Sequence, residues 1–298
     1  MEMPPFAAGL QFGISVFEGM QARHADIGQP WQVQFLSDHA ERLAYSAATL
    51  GLSAPSRSHL LEGLEATIED FDPCAEKSGR LYLRVVLFSG AEEIFPSSAP
   101  PFICNIFARQ IPLTTEPVYL HVHADAPYWR ALPDSALGHA KAATNYTPLV
   151  ERALKHPLPP DSMRMWQSPG PHPIMEELDT MSIGFILHSG RVLVPPRSDS
   201  MLPGVSMKNL LAELARQGMQ IEERALIPEA FRALIEDDDL AAFFATSTGK
   251  GLALVDRVTL SDGQALPATD TETTSLLWSA FNSMYTTTAA RKVPQHDA

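Results

Sequence analysis

The chain has 298 residues, 45% hydrophobic and 19% charged, a globular composition with material for more than one core. Its net charge of −13, with no basic stripe, argues against a nucleic-acid surface, and no apolar run is long enough to span a bilayer. Cys74 and Cys104 show no metal or disulfide spacing, and the N-terminus has no basic or apolar signal region; both features predict a cytoplasmic protein.

In chain order, residues 11–22 read as a strand interrupted by Gly13 and Gly19, and residues 32–36 as a second strand. Asp38, with Glu41 three residues on, has the spacing of a helix N-cap, and that helix stops at Gly51. A second helix spans 58–71. The alternation in 80–89 predicts a strand with Tyr82 and Arg84 on one face, and 102–108 is another strand. Residues 109–117, polar and twice interrupted by proline, read as a linker between domains 1–108 and 118–298. In the second half, 118–124 is a strand and an amphipathic helix opens at Thr147-Pro148. Residues 183–196 form a hairpin turning at Ser189-Gly190, followed by a helix with Ser206 as N-cap and Gly218 as stop. Strands at 220–224, 240–248 and 252–260, with helices at 228–236 and from Thr271, complete the series. Strands alternate with helices in both halves, which predicts α/β layers in two domains.

Three stretches could carry chemistry. His121, His123 and Asp125 alternate along one strand, a spacing that metal ligands use, and would imply a metal-dependent hydrolase. No second ligand pattern completes a shell, so no metal residues are assigned. The turn at 247–251, STGKG, superficially resembles a phosphate loop, but Ala245 stands where the first glycine of that pattern belongs. The third is HAKAATNY, residues 139–146, where Lys141 lies among alanines that leave room for a bulky group. A desolvated lysine is a nucleophile toward carbonyls, and Tyr146 can bring a hydroxyl to the same place. Spacing alone does not connect this lysine to Arg42, Glu177 or the Gly/Thr/Ser-rich turns at 203–206 and 246–249.

From about Gln11 to Val255 the chain resembles the class IV, fold-type-IV, pyridoxal-phosphate aminotransferases, and most closely the branched-chain amino acid aminotransferases. The resemblance rests on seven segments in family order: GISVFEGM, HAERL, LYLRVVLF, WRALPDSALGHAKAATNY, ELDTMSIGF, LPGVS and FATSTGKGLALV. It implies a two-domain α/β fold like that of D-amino-acid aminotransferase, with a smaller N-terminal domain and a larger C-terminal cofactor domain. It makes Lys141 the Schiff-base lysine and Tyr146 the partner of the coenzyme's phenolic oxygen, and it places Glu177 at the pyridine nitrogen. Arg42, Val205, Ser206, Ser247 and Thr248 would hold the phosphate. Phe17, Tyr82, Arg84 and Gly249 would face the substrate.

The implied reaction moves an amino group between an aliphatic L-amino acid and a 2-oxo acid such as 2-oxoglutarate, in a homodimer. Rivals within the fold are D-amino-acid transaminase, amine transaminase and aminodeoxychorismate lyase. The sequence departs from the branched-chain pattern at Gln21, Ser182, Gly184 and Lys250, and in the proline-rich stretch before Glu177. These departures touch the substrate side more than the coenzyme set.

Overall fold

The computed structural model describes residues 6–24, 30–71, 80–94, 102–112, 116–124, 137–168, 172–263, 265–267, 269 and 271–289. Cys74, Asp125 and the Arg130–Pro133 part of the lysine segment fall outside them.

The N-terminal part opens with α1 (Ala8–Gln11) and turns at Gly13, whose φ of 68° suits a residue without Cβ. It then forms an antiparallel sheet in the order β2-β1-β3-β4, from β1 (Ser15–His24), β2 (Trp31–Val33), β3 (Arg80–Ser89) and β4 (Phe102–Ile111). Period-two alternation sends Val16, Met20 and Ala22 of β1, with Leu81, Leu83, Val85 and Leu87 of β3, into one core. Two helices, α2 (Leu36–Thr49) and α3 (Arg57–Phe71), cover it with Leu43, Ala47, Leu60, Leu64 and Ile68. The residues α2 buries, His39, Arg42, Leu43, Ser46 and Ala47, recur every three or four positions, so three polar groups share the apolar stripe.

Two sequence expectations are corrected here. The N-cap of α2 is Phe35 in a left-handed conformation, so Asp38 lies inside the first turn. Its carboxylate instead accepts hydrogen bonds from Lys208 Nζ (2.7 Å) and Asn209 Nδ2 (2.9 Å), a tertiary link that local spacing could not reveal. The expected linker begins inside β4, because Arg109 pairs with Tyr82 and Ile111 with Arg80 before the strand ends.

The second sheet has nine strands. These are β5 (Val118–Ala124), β6 (Ser162–Gln167), β7 (Met175–Leu178), β8 (Met181–Leu187), β9 (Arg191–Val194), β10 (Gln220–Glu223), β11 (Leu240–Ser247), β12 (Gly251–Leu260) and β13 (Ala265–Pro267). Because β7 pairs with both β6 and β8, six of them (β8, β11, β12, β5, β6, β7) close into a ring. Leu120, Met165, Ile183, Phe185, Phe243 and Val255 belong to one core cluster with Phe231 of α6 (Pro228–Glu236). A separate cluster joins the sheet to α5 (Val205–Arg216) and α7 (Thr271–Ala289). The remaining helix, α4 (Thr147–Lys155), follows a 3₁₀ turn at Ala143–Tyr146. Strands β6 and β7 each follow a proline-rich stretch whose turn signals mask their alternation.

The segment carrying Lys141 belongs by sequence to the second part but is fastened to the first. Ala140 and Ala142 are buried in the core of the small sheet, Phe17 N donates to Lys141 O (2.9 Å), and Val16 bridges Ala142.

Candidate active site

Helix α2 sets the lysine in place. One turn beyond Arg42, Ser46 Oγ donates to the Arg42 carbonyl (2.8 Å) and accepts from the Lys141 backbone N–H (2.9 Å). Asn145 Nδ2 donates to the carbonyls of Leu137 (2.5 Å) and Ala140 (2.9 Å), closing the loop around the lysine from the other side. Lys141 Nζ then lies 3.1 Å from Tyr146 Oη and 5.0 Å from the centre of the Phe17 ring. Burial lowers the pKa of Lys141, Tyr146 opposes that shift, and Arg42 adds to it. The enclosed amine is therefore easier to deprotonate than a surface lysine.

Arg42 is held by an acid that sequence reasoning did not assign. Glu18, fully buried on the core side of β1, accepts from Arg42 Nε (2.9 Å) and NH2 (2.6 Å), from His39 Nδ1 (3.1 Å) and from the Gly19 amide (3.0 Å). Burial opposes the charge on Glu18, but Arg42 and His39 outweigh it and hold the carboxyl far below its usual range. The third contact of Arg42, NH1 to Pro203 O (2.7 Å), fastens the turn that starts α5. The signal was available in the sequence: Glu18 occupies a core-facing position in the alternation Val16, Glu18, Met20.

The opposite wall is built from β7, α5 and the β11–β12 turn. Neighbouring residues of a strand point to opposite faces, and the two buried glutamates divide accordingly. Glu177 lines the lysine cavity, while Glu176 lines a second cavity across the Leu202–Val205 turn. There, burial raises the pKa of Glu176, the hydroxyls of Ser198 and Ser200 that donate to it oppose the rise, and Glu177 reinforces it. Neither carboxylate is a solvated surface group.

Ser206 is not the N-cap of α5; Gly204 is, and no side chain caps the helix. Ser206 Oγ is instead 3.1 Å from Thr248 Oγ1, and Thr246 Oγ1 is buried on the same cavity with no partner among the described residues. A Cβ on Gly204 would come within 2.2 Å of Ser182 Oγ, so this turn needs glycine as built. Gln21 donates to Thr248 O and accepts from Arg23 Nε (3.0 Å), tying β1 to the same turn. Gly184 lies under the Phe244 ring, where a Cβ would clash at 2.4 Å.

All twelve site residues expected from the sequence line this one cavity of 560 Å³: Phe17, Arg42, Tyr82, Arg84, Lys141, Tyr146, Glu177, Val205, Ser206, Ser247, Thr248 and Gly249. Arg109 and Lys250 line it too. The histidine pair does not. His121 Nε2 is 2.7 Å from Thr259 Oγ1, and its ring lies 4.2 Å from that of His123. Among the described residues, no three His, Cys, Asp or Glu side chains gather as metal ligands.

Residues 174–258 match the family model described as amino-transferase class IV. A probable branched-chain-amino-acid aminotransferase of Staphylococcus aureus strain N315 is 26% identical over 275 residues, covering 88% of this chain and 74% of its own. The branched-chain aminotransferase structure from Thermoproteus uzoniensis superposes with a TM-score of 0.75 at 19% identity, over 98% of this chain and 92% of its own.

The chain has the class IV aminotransferase fold.

A Brucella abortus aminotransferase of this fold, described as bound to pyridoxal phosphate, superposes with a TM-score of 0.75 at 17% identity, over 96% of this chain and 94% of its own. The residues of the present class IV cavity suit that group. An enclosed amine beside a phenol meets an aldehyde and a phenolate, and a buried carboxylate meets a ring nitrogen. A phosphate finds an arginine, three hydroxyls and the uncapped N-terminus of α5.

Gly19 lines the same cavity as Tyr82. The Tyr82 ring folds over it, and a Cβ at position 19 would fall 2.2 Å from Tyr82 Oη. Gly19→Ala is expected to displace Tyr82 and raise KM for the amino donor about tenfold or more while coenzyme content, read from visible absorbance, stays at the wild-type level. An unchanged KM would remove Tyr82 from substrate recognition.

Proposed function

We propose that the chain is a pyridoxal-phosphate-dependent aminotransferase that moves an amino group between an amino acid and a 2-oxo acid. The observation that carries the reading is the convergence of Lys141, Tyr146, Glu177 and the Arg42–Ser206–Thr248 cradle on one cavity. When bound, the coenzyme supplies an electron sink for the substrate's α-carbon. The rest is the work of the chain's own groups. Arg42, Ser206, Ser247, Thr248 and the amides of Val205 and Ser206 hold the phosphate. Glu177 would accept a hydrogen bond from the protonated pyridine nitrogen and favour its charge. Lys141 Nζ would be the group that holds the coenzyme's aldehyde carbon and, as a free amine, the general base and then acid at the substrate's α-carbon. Its lowered pKa puts the neutral amine within reach, and Tyr146 keeps Nζ oriented between turnovers.

The reading includes an aliphatic, branched-chain L-amino acid with 2-oxoglutarate as the first pair to try, since the curated relative carries the branched-chain name. It also includes a cytoplasmic homodimer of two-domain chains divided between β4 and β5. Phe107 and Tyr119, 56% and 49% exposed, support a second copy as their cover. No helix among the described residues is long and apolar enough to cross a membrane.

The test is the visible spectrum of the purified chain with and without borohydride, followed by peptide mapping, and then a panel of amino donors with pyruvate or 2-oxoglutarate. A yellow protein that reduction labels at Lys141 and that transfers nitrogen upholds the reading. A chain that refuses the coenzyme, or carries it on another lysine, ends it.

A further inference from the structure

The lysine cavity carries an imbalance of charge that the coenzyme does not account for. Its lining has five cations, Arg42, Arg84, Arg109, Lys141 and Lys250, against one acid, Glu177, in a chain whose net charge is −13. Arg42 is committed to Glu18, Lys141 to Tyr146, and Arg84 donates to Tyr82 Oη (3.0 Å). Arg109 and Lys250 have no carboxylate partner among the described residues. Arg109 lies directly across the β3–β4 ladder from Tyr82, with its guanidinium carbon 5.5 Å from the ring centre, and Lys250 lines the same cavity from the β11–β12 turn.

Cations gathered at a concave mouth repel one another and raise the local concentration of anions. An aliphatic side chain placed there gains nothing from them, whereas a carboxylate gains charge-assisted hydrogen bonds. Resting on the aminotransferase reading, we infer that Arg109 and Lys250 form an anion subsite at the mouth. It selects substrates with a side-chain carboxylate, as amino donor as well as acceptor, over branched aliphatic ones, and so replaces the branched-chain donor of the reading above while keeping its aminotransferase chemistry. Both are specificity-determining residues, lining the same cavity as Arg84 and Tyr82.

The experiment titrates the coenzyme-loaded enzyme with two unreactive probes, glutarate and 4-methylpentanoate, and compares wild type with Arg109→Ala and Lys250→Ala. Arg109→Lys serves as the conservative control. Glutarate binds the wild type at least tenfold more tightly, and the advantage shrinks as salt rises. Each alanine variant lowers the glutarate-to-4-methylpentanoate affinity ratio about tenfold, and Arg109→Lys restores part of it. In single turnovers the wild type reacts faster with L-glutamate than with L-leucine, and the alanine variants narrow the gap. A yellow, Lys141-labelled enzyme that prefers 4-methylpentanoate or leucine, or whose ratio is unmoved by both alanine variants, overturns the subsite and leaves the aminotransferase reading standing. A chain that takes up no coenzyme overturns both.

Discussion

Lys141→Ala abolishes transamination, with a loss of at least roughly 10⁴-fold, because it removes both the covalent anchor and the proton carrier. Lys141→Arg fails as well, since a guanidinium stays protonated and cannot take part in either role. Borohydride then leaves no label on the 139–146 peptide. Stability moves the other way. The folded pKa of Lys141 is depressed, so between that value and the unfolded pKa, about 10.4, the unfolded chain binds more protons and stability rises with pH. Below the unfolded pKa the enclosed amine is therefore a burden on the coenzyme-free protein. Lys141→Met should melt higher than wild type at pH 7 when both lack coenzyme, and the gap should close as pH approaches 10.4. A variant that is both less active and less stable at every pH would make the lysine a structural residue.

Legibility in the sequence followed the range of the interactions. Period-two runs such as 80–89 and the Gly51 and Gly218 stops are local, and they read correctly. Ser206 had the composition of a cap, but its hydroxyl is turned to Thr248, 42 residues away, and the cap fell to Gly204. Arg109 looked like linker because proline follows it, yet cross-strand pairing with Tyr82 keeps it on the site face. The lysine stood out from its small neighbours. Its connection to Arg42 did not, because Ser46 makes it across 95 residues and serine occurs everywhere on helices. The motif order supplied by the family resemblance replaced those missing distances, and all the residues it named meet in one cavity. Those to which it gave no role, Glu18, Arg109 and Lys250, are supports and rim groups that only three-dimensional neighbours define.

Glu18→Ala is expected to cost about 3–5 kcal/mol of folding stability, the range for breaking a buried ion pair and leaving one partner uncompensated. The stranded charge is Arg42, 9% exposed, and the buried His39 ring loses its acceptor as well. Glu18→Gln separates charge from packing: its carbonyl can still accept from Arg42, so it should cost less than the alanine. The pH dependence fixes the sign. The folded pKa of Glu18 lies far below the unfolded value of about 4.3, so its stabilisation is complete above roughly pH 4.3 and fades as pH falls toward the folded value. Urea unfolding of wild type and Glu18→Gln should therefore differ by a constant amount from pH 5.5 to 8 and converge below pH 4. Because the same carboxylate aims Arg42 at the Pro203 carbonyl, coenzyme affinity should drop with stability in both variants, and excess phosphate should protect them less than wild type. A Glu18→Ala protein that melts like wild type would show that Arg42 finds other partners, and that the acid beneath it is dispensable.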